Sequence, residues 1–515
     1  MKNLSLTALT DNLVPFSARQ VATSLIWRSP DVDDAETLQN ACSYIIDPTS
    51  SADTKLFYAE RYGGSGLQRN GGGARCGFDG CYQIKGIGIN PLVGKGSDRR
   101  HSNGALSAEH AIYEALWGEV LAQILPYGAV RTQAVLLITG NAGRAFNDVG
   151  DAVPRALLVR KPVIRPAHFE RAPWFKPRPE FAAQLQHDAR RVKAVIHLLP
   201  ASLPAPPAGF SKEACRNQRL YCLEGLCELA RRLAWQMAFC RTRFLRLTTS
   251  PSNVATDGRL LDFNGLNSLF PGDYRDDFGY RLRLQELIKE PAVLQQGLSD
   301  LCLYLGKYLF GPAFTPIARQ QVEKCFQQTF QEANCRGYLE LLGIPAIGLS
   351  LATMPQVAQQ LAGRFVKLFN SCKGAFYCSP EGSQSDTPLS RLVVALIHTG
   401  QGQSAGHSKE WQANPHFAAT AQSYRETLHW IKENGPANEI ATFPDFQEME
   451  RQARQKAQPR SFLRKEQLFG KITTLLADHG DDAPALQQAI SAIAAEMQQF
   501  AKNTLGSASS CGHSG

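Results

Sequence analysis

Four prolines, Pro166, Pro173, Pro177 and Pro179, mark the place where this chain changes character. Proline fixes φ and has no amide hydrogen, so a stretch this dense in it excludes a regular helix or a central strand. Before it the pattern is short and alternating. Leu56–Tyr62, Cys81–Lys85, Thr132–Thr139 and Arg155–Ile164 read as strands, and a long helix is predicted over 105–125, capped by Ser102 or Asn103. After it, apolar residues recur at helical spacing over about 180–199, 213–241, 281–310, 314–336, 355–371, 387–400, 418–434 and 482–503. The fold class this predicts is α+β, with a strand-rich lobe of three or four strands at 51–165 and a helical lobe at 166–505. Residues 1–50 read as an N-terminal extension, and the Gly/Ser tail at 506–515 as disordered.

The formal charge of +9 over 515 residues suits a partner carrying phosphates. The basic residues form no dense stripe interleaved with aromatics, which argues against nucleic acid. No apolar run reaches the ~18 residues that span a bilayer, and the N-terminus lacks a signal-peptide core. These features predict a cytoplasmic protein without membrane contact. The thirteen cysteines are scattered. Cys76–Cys81, Cys222–Cys227 and Cys372–Cys378 are too widely spaced for zinc or redox pairs, so the prediction is buried thiols.

Chemistry concentrates at Ser250–Gly265. Asn253 and Asp262 flank a turn at Asp257-Gly258, a dipeptide suited to a tight hairpin. An amide oxygen and a carboxylate brought together this way can hold Mg²⁺ against a nucleotide's phosphates. Lys85 ends a strand after a glycine-dense stretch, where Gly72, Gly73 and Arg75 are candidate nucleotide contacts through amides or charge. The long helix that follows offers Glu109, Glu114 and Glu119 as partners for Lys85. Arg160 and Arg165 flank the end of the last strand and can clamp phosphates bidentately. Thr248 stands where a protein kinase has its catalytic Asp, five residues before the metal-binding Asn, so an ordinary kinase is excluded.

Over roughly 55–280 these segments resemble the selenoprotein-O-like family of kinase-fold AMP transferases. Gln83-Ile84-Lys85-Gly86-Ile87-Gly88 is similar to that family's Gln-Leu-Lys-Gly-Ala-Gly, and Tyr113-Glu114-Ala115-Leu116 to its Arg-Glu-Phe-Leu. Arg160 and Arg165 through Glu170 resemble its two-arginine segment. Trp235-Gln236, Asn253 and Leu261-Asp262-Phe263 follow its order, and Pro459-Arg460 is a fainter echo. The resemblance implies a bilobal protein-kinase-like (pseudokinase) fold. It also implies ATP and Mg²⁺ as cofactors, Lys85, Glu114 and Asp262 as the catalytic set, Asn253 and Asp262 as metal ligands, and an inverted nucleotide held by Arg160 and Arg165. Three departures stand out. Ser252 replaces the family's Asp general base, Asn264 replaces its glycine, and Tyr113 replaces its arginine.

A hydroxyl acceptor needs a base, worth ~10²–10⁴-fold in rate, whereas a carboxylate is already ionised. Ser252 therefore points to an acceptor carboxylate. In size and in lacking a targeting signal the chain also resembles the large maturation proteins of siderophore microcins. That implies a peptide substrate, a microcin precursor with a Ser/Gly-rich C-terminus, and a small acyltransferase-like partner. The alternatives are an inactive pseudokinase scaffold for that partner, or AMP transfer to protein hydroxyls.

Overall fold

The computed structural model describes residues 4–64, 67, 69–97, 103–146, 150–206, 216–345, 355–372, 375–376, 387–403, 409–435 and 443–506. The expected disordered tail beyond Gly506, Ser102, Cys378, part of the glycine-dense stretch and the first residues of the 213–241 helix lie outside them.

The fold is mixed α+β. Its largest sheet has eight strands, each antiparallel to its neighbours, in the order β2-β7-β10-β6-β5-β4-β1-β3. They are β1 (Leu13–Gln20), β2 (Thr23–Arg28), β3 (Tyr44–Ile45), β4 (Thr54–Glu60), β5 (Cys76–Phe78), β6 (Gln83–Lys85), β7 (Thr132–Ile138) and β10 (Ala156–Arg160). Two small hairpins pair β8 (Arg144–Phe146) with β9 (Ala152–Pro154), and β11 (Leu245–Arg246) with β12 (Asn267–Ser268).

Residues 1–50 are therefore not an extension. They supply three strands and helix α1 (Ala35–Cys42). Only Val21 and Ala22 separate β1 from β2, yet the two strands lie near opposite ends of the sheet order. Laid flat, six strand intervals would span about 29 Å, and three peptide steps reach only about 11 Å. The sheet must coil until its ends meet, and Thr23 Oγ1 at the start of β2 lies 2.7 Å from Ser43 Oγ just before β3, across that seam.

The helix behind the sheet is α2 (Ala108–Ile124), capped by Ser107, whose Oγ accepts from His110 N, and not by Ser102 or Asn103. At the proline-rich stretch Arg165–Glu170 is buried, whereas Trp174 beyond it is exposed. The 180–199 helix is broken into short pieces at Ala182–Leu185, Asp188–Val195 and Leu199–Ser202. Beyond these come α3 (Gln218–Thr242), α4 (Phe278–Leu305), α5 (Phe314–Leu341), α6 (Gln356–Ser371), α7 (Pro388–Gly400) and α8 (Phe417–Asn434). The C-terminal set is α9 (Phe446–Lys456), α10 (Lys465–His479) and α11 (Ala483–Thr504). Among the described residues, no helix is long and apolar enough to cross a membrane.

Helices α10 and α11 leave the helical half and pack back on α2, α11 also on β2. One core joins Leu116 and Trp117 of α2 to Leu229 and Leu233 of α3, Leu298 of α4, Ile472 of α10 and Met497 of α11. A second core, around Phe270, Tyr280, Phe365, Leu396 and Tyr424, lies wholly in the helical half. A third covers the other face of the sheet, where Leu38 of α1 meets Phe57, Ile84, Leu136 and Val159. The described cysteines are free thiols and mostly buried, but Cys81 is exposed and Cys325 half-buried.

Candidate functional site

The Asp257-Gly258 turn forms with Gly258 at φ +93°, a left-handed value that a Cβ disfavours. Ala255 N donates to Arg259 O at 2.8 Å, and Leu261 N to Asn253 O at 3.0 Å. The hairpin is pinned from both sides. The Gln236 amide, from α3, donates to Gly128 O and Gly258 O at 3.0 Å each, and Val130 N donates to Leu260 O at 2.8 Å. Asn253 and Asp262 thereby sit at the open end of the hairpin, facing a cleft of about 600 Å³. A cleft of that size is of the kind that takes a small-molecule ligand.

Gly72, Gly73, Arg75, Lys85, Arg160 and Arg165 line the same cleft from the sheet side. Lys85, at the end of β6, places Nζ 2.6 Å from Glu114 Oε2 and 2.8 Å from Asp262 Oδ1. Of the three glutamates considered on α2, Glu114 is thus the partner. Glu119 instead holds Arg131 with both carboxylate oxygens, and Glu109 Oε1 accepts from Thr473. Asp262 has φ +64°, a strained left-handed conformation for an aspartate. Burial would raise its pKa, but Lys85, then Arg160 and Arg75, hold the carboxyl well below the usual range, so it is ionised.

The arginines are tied in from behind. Arg160 Nη1 reaches Glu114 Oε1 at 3.3 Å, and its Nε donates to Gln83 Oε1. Arg165 Nη2 donates to that same Gln83 oxygen at 3.3 Å, while its Nη1 donates to Ser252 O at 2.7 Å. The guanidinium of Arg165 also stacks 4.9 Å from the Tyr62 ring. Gln83 Nε2 donates to Glu60 Oε1, and Glu60 Oε2 faces His168 Nε2 at 3.3 Å without hydrogen-bond alignment. Burial holds the His168 pKa below its ordinary value against the opposing pull of Glu60, with Arg165 and Arg191 adding to the lowering. The neutral ring accepts from Arg165 N at Nδ1 and presents Nε2–H to Glu60.

No family model and no curated protein matches the chain.

The glycine stretch reaches the cleft with part of its amides already engaged. Gly72 and Gly73 line the cleft, but Gly71 N and Gly73 N already donate to Leu92 O and Glu60 O. Gly72 is required for packing instead, because at φ +145° a Cβ would lie 2.1 Å from Glu60 O. The cationic side chains that line the cleft are Arg75, Lys85, Arg160 and Arg165, and the amides of Gly71 and Gly73 are already engaged.

Several residues at the site carried no sequence signal. Glu290 of α4 accepts the backbone amides of Leu247 (3.2 Å) and Thr248, fixing the loop that leads to Asn253. Asn264 Nδ2 donates to Glu114 Oε2 at 2.7 Å, and Lys465 Nζ donates to Asn264 O at 2.7 Å, so the C-terminal segment buttresses the Asp262 turn. Buried Arg460 does not enter the cleft. Its guanidinium donates to Arg243 O and Lys456 O, a structural clamp.

Among the described residues no cluster of three His, Cys, Asp or Glu side chains could hold a metal. Asn253 and Asp262 offer one neutral oxygen and one ionised carboxylate. That set fits Mg²⁺, which is commonly held by one or two carboxylates together with substrate phosphates and water.

Proposed function

We propose that this protein is an ATP- and Mg²⁺-dependent nucleotidyl (AMP) transferase acting on a peptide or protein, with the acceptor a C-terminal carboxylate. The observation that carries this reading is the Glu114–Lys85–Asp262 chain at 2.6 and 2.8 Å, on the wall of a cleft whose one acidic residue, among the described lining residues, is Asp262. The kinase-like bilobal arrangement belongs to the same proposal. A lysine on a strand is paired to a glutamate on the helix behind the sheet, and the metal-binding pair comes from the helical side.

In this scheme Lys85, Arg160 and Arg165 stabilise phosphate charge, and Asn253 with Asp262 holds the metal. An oxygen of the acceptor carboxylate attacks the α-phosphorus. The bond from that phosphorus to the β-bridging oxygen breaks, and pyrophosphate leaves with the electron pair. The product is an acyl-adenylate, and no proton needs removing. Thr248, Thr249, Ser250 and Ser252 line the cleft where a base would otherwise stand. The biological setting we propose is maturation of a siderophore microcin, with a Ser/Gly-tailed precursor as substrate and a small acyltransferase-like protein as partner.

Incubation with α- and γ-labelled ATP tests the reaction class. Pyrophosphate release with α-label on the acceptor supports it; transfer of γ-label overturns it. Hydroxylamine should trap the acceptor's C-terminus, and a stable AMP–serine adduct would instead favour hydroxyl acceptors. A second reading, an inactive scaffold, is favoured by the ion pair that Lys85 makes with Asp262. It requires that Asp262→Ala leave a reconstituted reaction intact.

A further inference from the structure

One polar side chain connects the two halves of the cleft. From Asp262 the contacts run to Lys85, to Glu114 and to Arg160, then through Gln83 Oε1 to Arg165, and finally to Ser252 O beside Asn253. The candidate metal ligands therefore sit at opposite ends of one continuous network, and Gln83 is its only middle link among these contacts. Its amide is oriented by its neighbours. The oxygen faces two guanidinium groups and the NH₂ faces the Glu60 carboxylate. The flipped amide would set NH₂ against two cations and oxygen against an anion. Gln83 is 1% exposed and does not line the cleft, so it touches neither nucleotide nor metal in the proposed pose.

We propose that Gln83 is a positioning residue that holds Arg160 and Arg165 together as one phosphate clamp, with Arg165 in turn fixed to the Ser252 carbonyl. This inference rests on the nucleotide-binding reading. Buried hydrogen bonds to charged groups are the strong class, and losing one partner leaves the other desolvated and unpaired. Without Gln83, Arg160 keeps Glu114 and Arg165 keeps Ser252 O and the Tyr62 ring, but the side chain that bonds both guanidinium groups is gone.

The test is equilibrium binding of Mg·ATP and of adenosine to the full-length protein, with four variants. Q83M should weaken Mg·ATP by about tenfold or more, the scale of one lost charged hydrogen bond, while adenosine binding stays within about twofold. Q83E sets two carboxylates face to face, E60Q must turn an NH₂ toward either the Gln83 NH₂ or His168 Nε2–H, and each should weaken Mg·ATP. The exchanged pair E60Q/Q83E restores every donor–acceptor match and the net charge, so it should bind Mg·ATP more tightly than either single variant. That rescue distinguishes positioning from general damage to the fold, which would weaken adenosine equally and grow worse in the double variant. If wild-type protein binds no Mg·ATP, the nucleotide reading fails. If wild type binds but Q83M is unchanged, or the exchanged pair shows no rescue, the inference about Gln83 is overturned.

Discussion

Lys85 Nζ and Asp262 Oδ1 lie 2.8 Å apart although 177 residues separate them in the chain. With Glu114 on its other side, one ammonium serves two carboxylates. A divalent cation entering at Asp262 must compete with that ammonium, which then becomes free to meet phosphate. Lys85→Met should therefore have opposite effects on the two ligands. Mn²⁺, used as a probe for Mg²⁺, should bind the nucleotide-free variant more tightly, by about tenfold on the scale of one removed charge pair, while ATP binds more weakly. Titration of Mn²⁺ by electron paramagnetic resonance, with and without ATP, measures both. Because Asp262 is held ionised well below the usual carboxylate range, an acid limb of the activity profile within that range belongs to another group.

Thr248 and Gly265 form a second close relationship. A Cβ on Gly265 would lie 1.6 Å from Thr248 Oγ1, and Thr248 itself is held at φ +58°. Gly265→Ala should therefore destabilise by about 1–3 kcal/mol, the usual cost of overpacking. Thr248→Gly removes the facing atoms and relaxes the positive φ. The double variant should recover most of the loss, giving a coupling well above the few tenths seen for independent sites. Urea unfolding of the four proteins supplies the cycle.

Glu170 supplies a pH prediction. It is 1% exposed, and its Oε1 has no hydrogen-bond partner. Burial, with a smaller push from Asp300, raises its pKa from 4.5 to about 8. The folded state thus binds this proton more tightly than the unfolded state. The stability linked to it is complete below 4.5 and is lost as pH rises through about 8. Glu170→Gln removes that titration. The difference in Tm between variant and wild type should grow in the variant's favour between about pH 4.5 and 8 and level off above. A pH-independent difference would mean that Glu170 does not titrate in that window.

How much was legible in the sequence follows from how far apart the interacting residues lie. The Asn253–Asp262 hairpin was visible because Asp257-Gly258 imposes its own turn. A lysine–glutamate pair was visible because a strand, loop and helix follow in order, but that order left Glu109, Glu114 and Glu119 open and only the family resemblance favoured Glu114. The strand β1 was obscured by Pro15, which breaks strand propensity. The structure tolerates it because β3 pairs only with Arg19 and Gln20, leaving β1 without an outer neighbour at Pro15. Gln83 reads as an ordinary polar strand residue until β4 brings Glu60 to it and β10 brings Arg160. Glu290 acts on amides 42 and 43 residues earlier. The return of α10 and α11 onto α2 joins segments more than 350 residues apart, as Thr473 and Glu109 show, and no local pattern encodes it.

Ser252 allows the acceptor itself to be tested. Its Oγ lies 2.8 Å from Ser250 Oγ and 3.4 Å from Asn253 Oδ1, and its carbonyl is fixed by Arg165. A carboxylate at this position would stand at the cleft, next to the metal-binding amide and close enough to take a proton from an incoming hydroxyl. Ser252→Asp should therefore shift the chemistry in two directions. AMP transfer to serine or threonine hydroxyls of a generic acceptor such as casein should rise by about 10²-fold, the scale of one positioned base. Hydroxamate formed at a peptide's free C-terminus should fall, because two like charges would then share the acceptor position. Mass spectrometry of both products from one ATP-fed reaction separates the effects. A gain at hydroxyls with no loss at carboxylates would mean that the acceptor carboxylate lies elsewhere in the cleft. If neither product changes, position 252 does not face the acceptor at all.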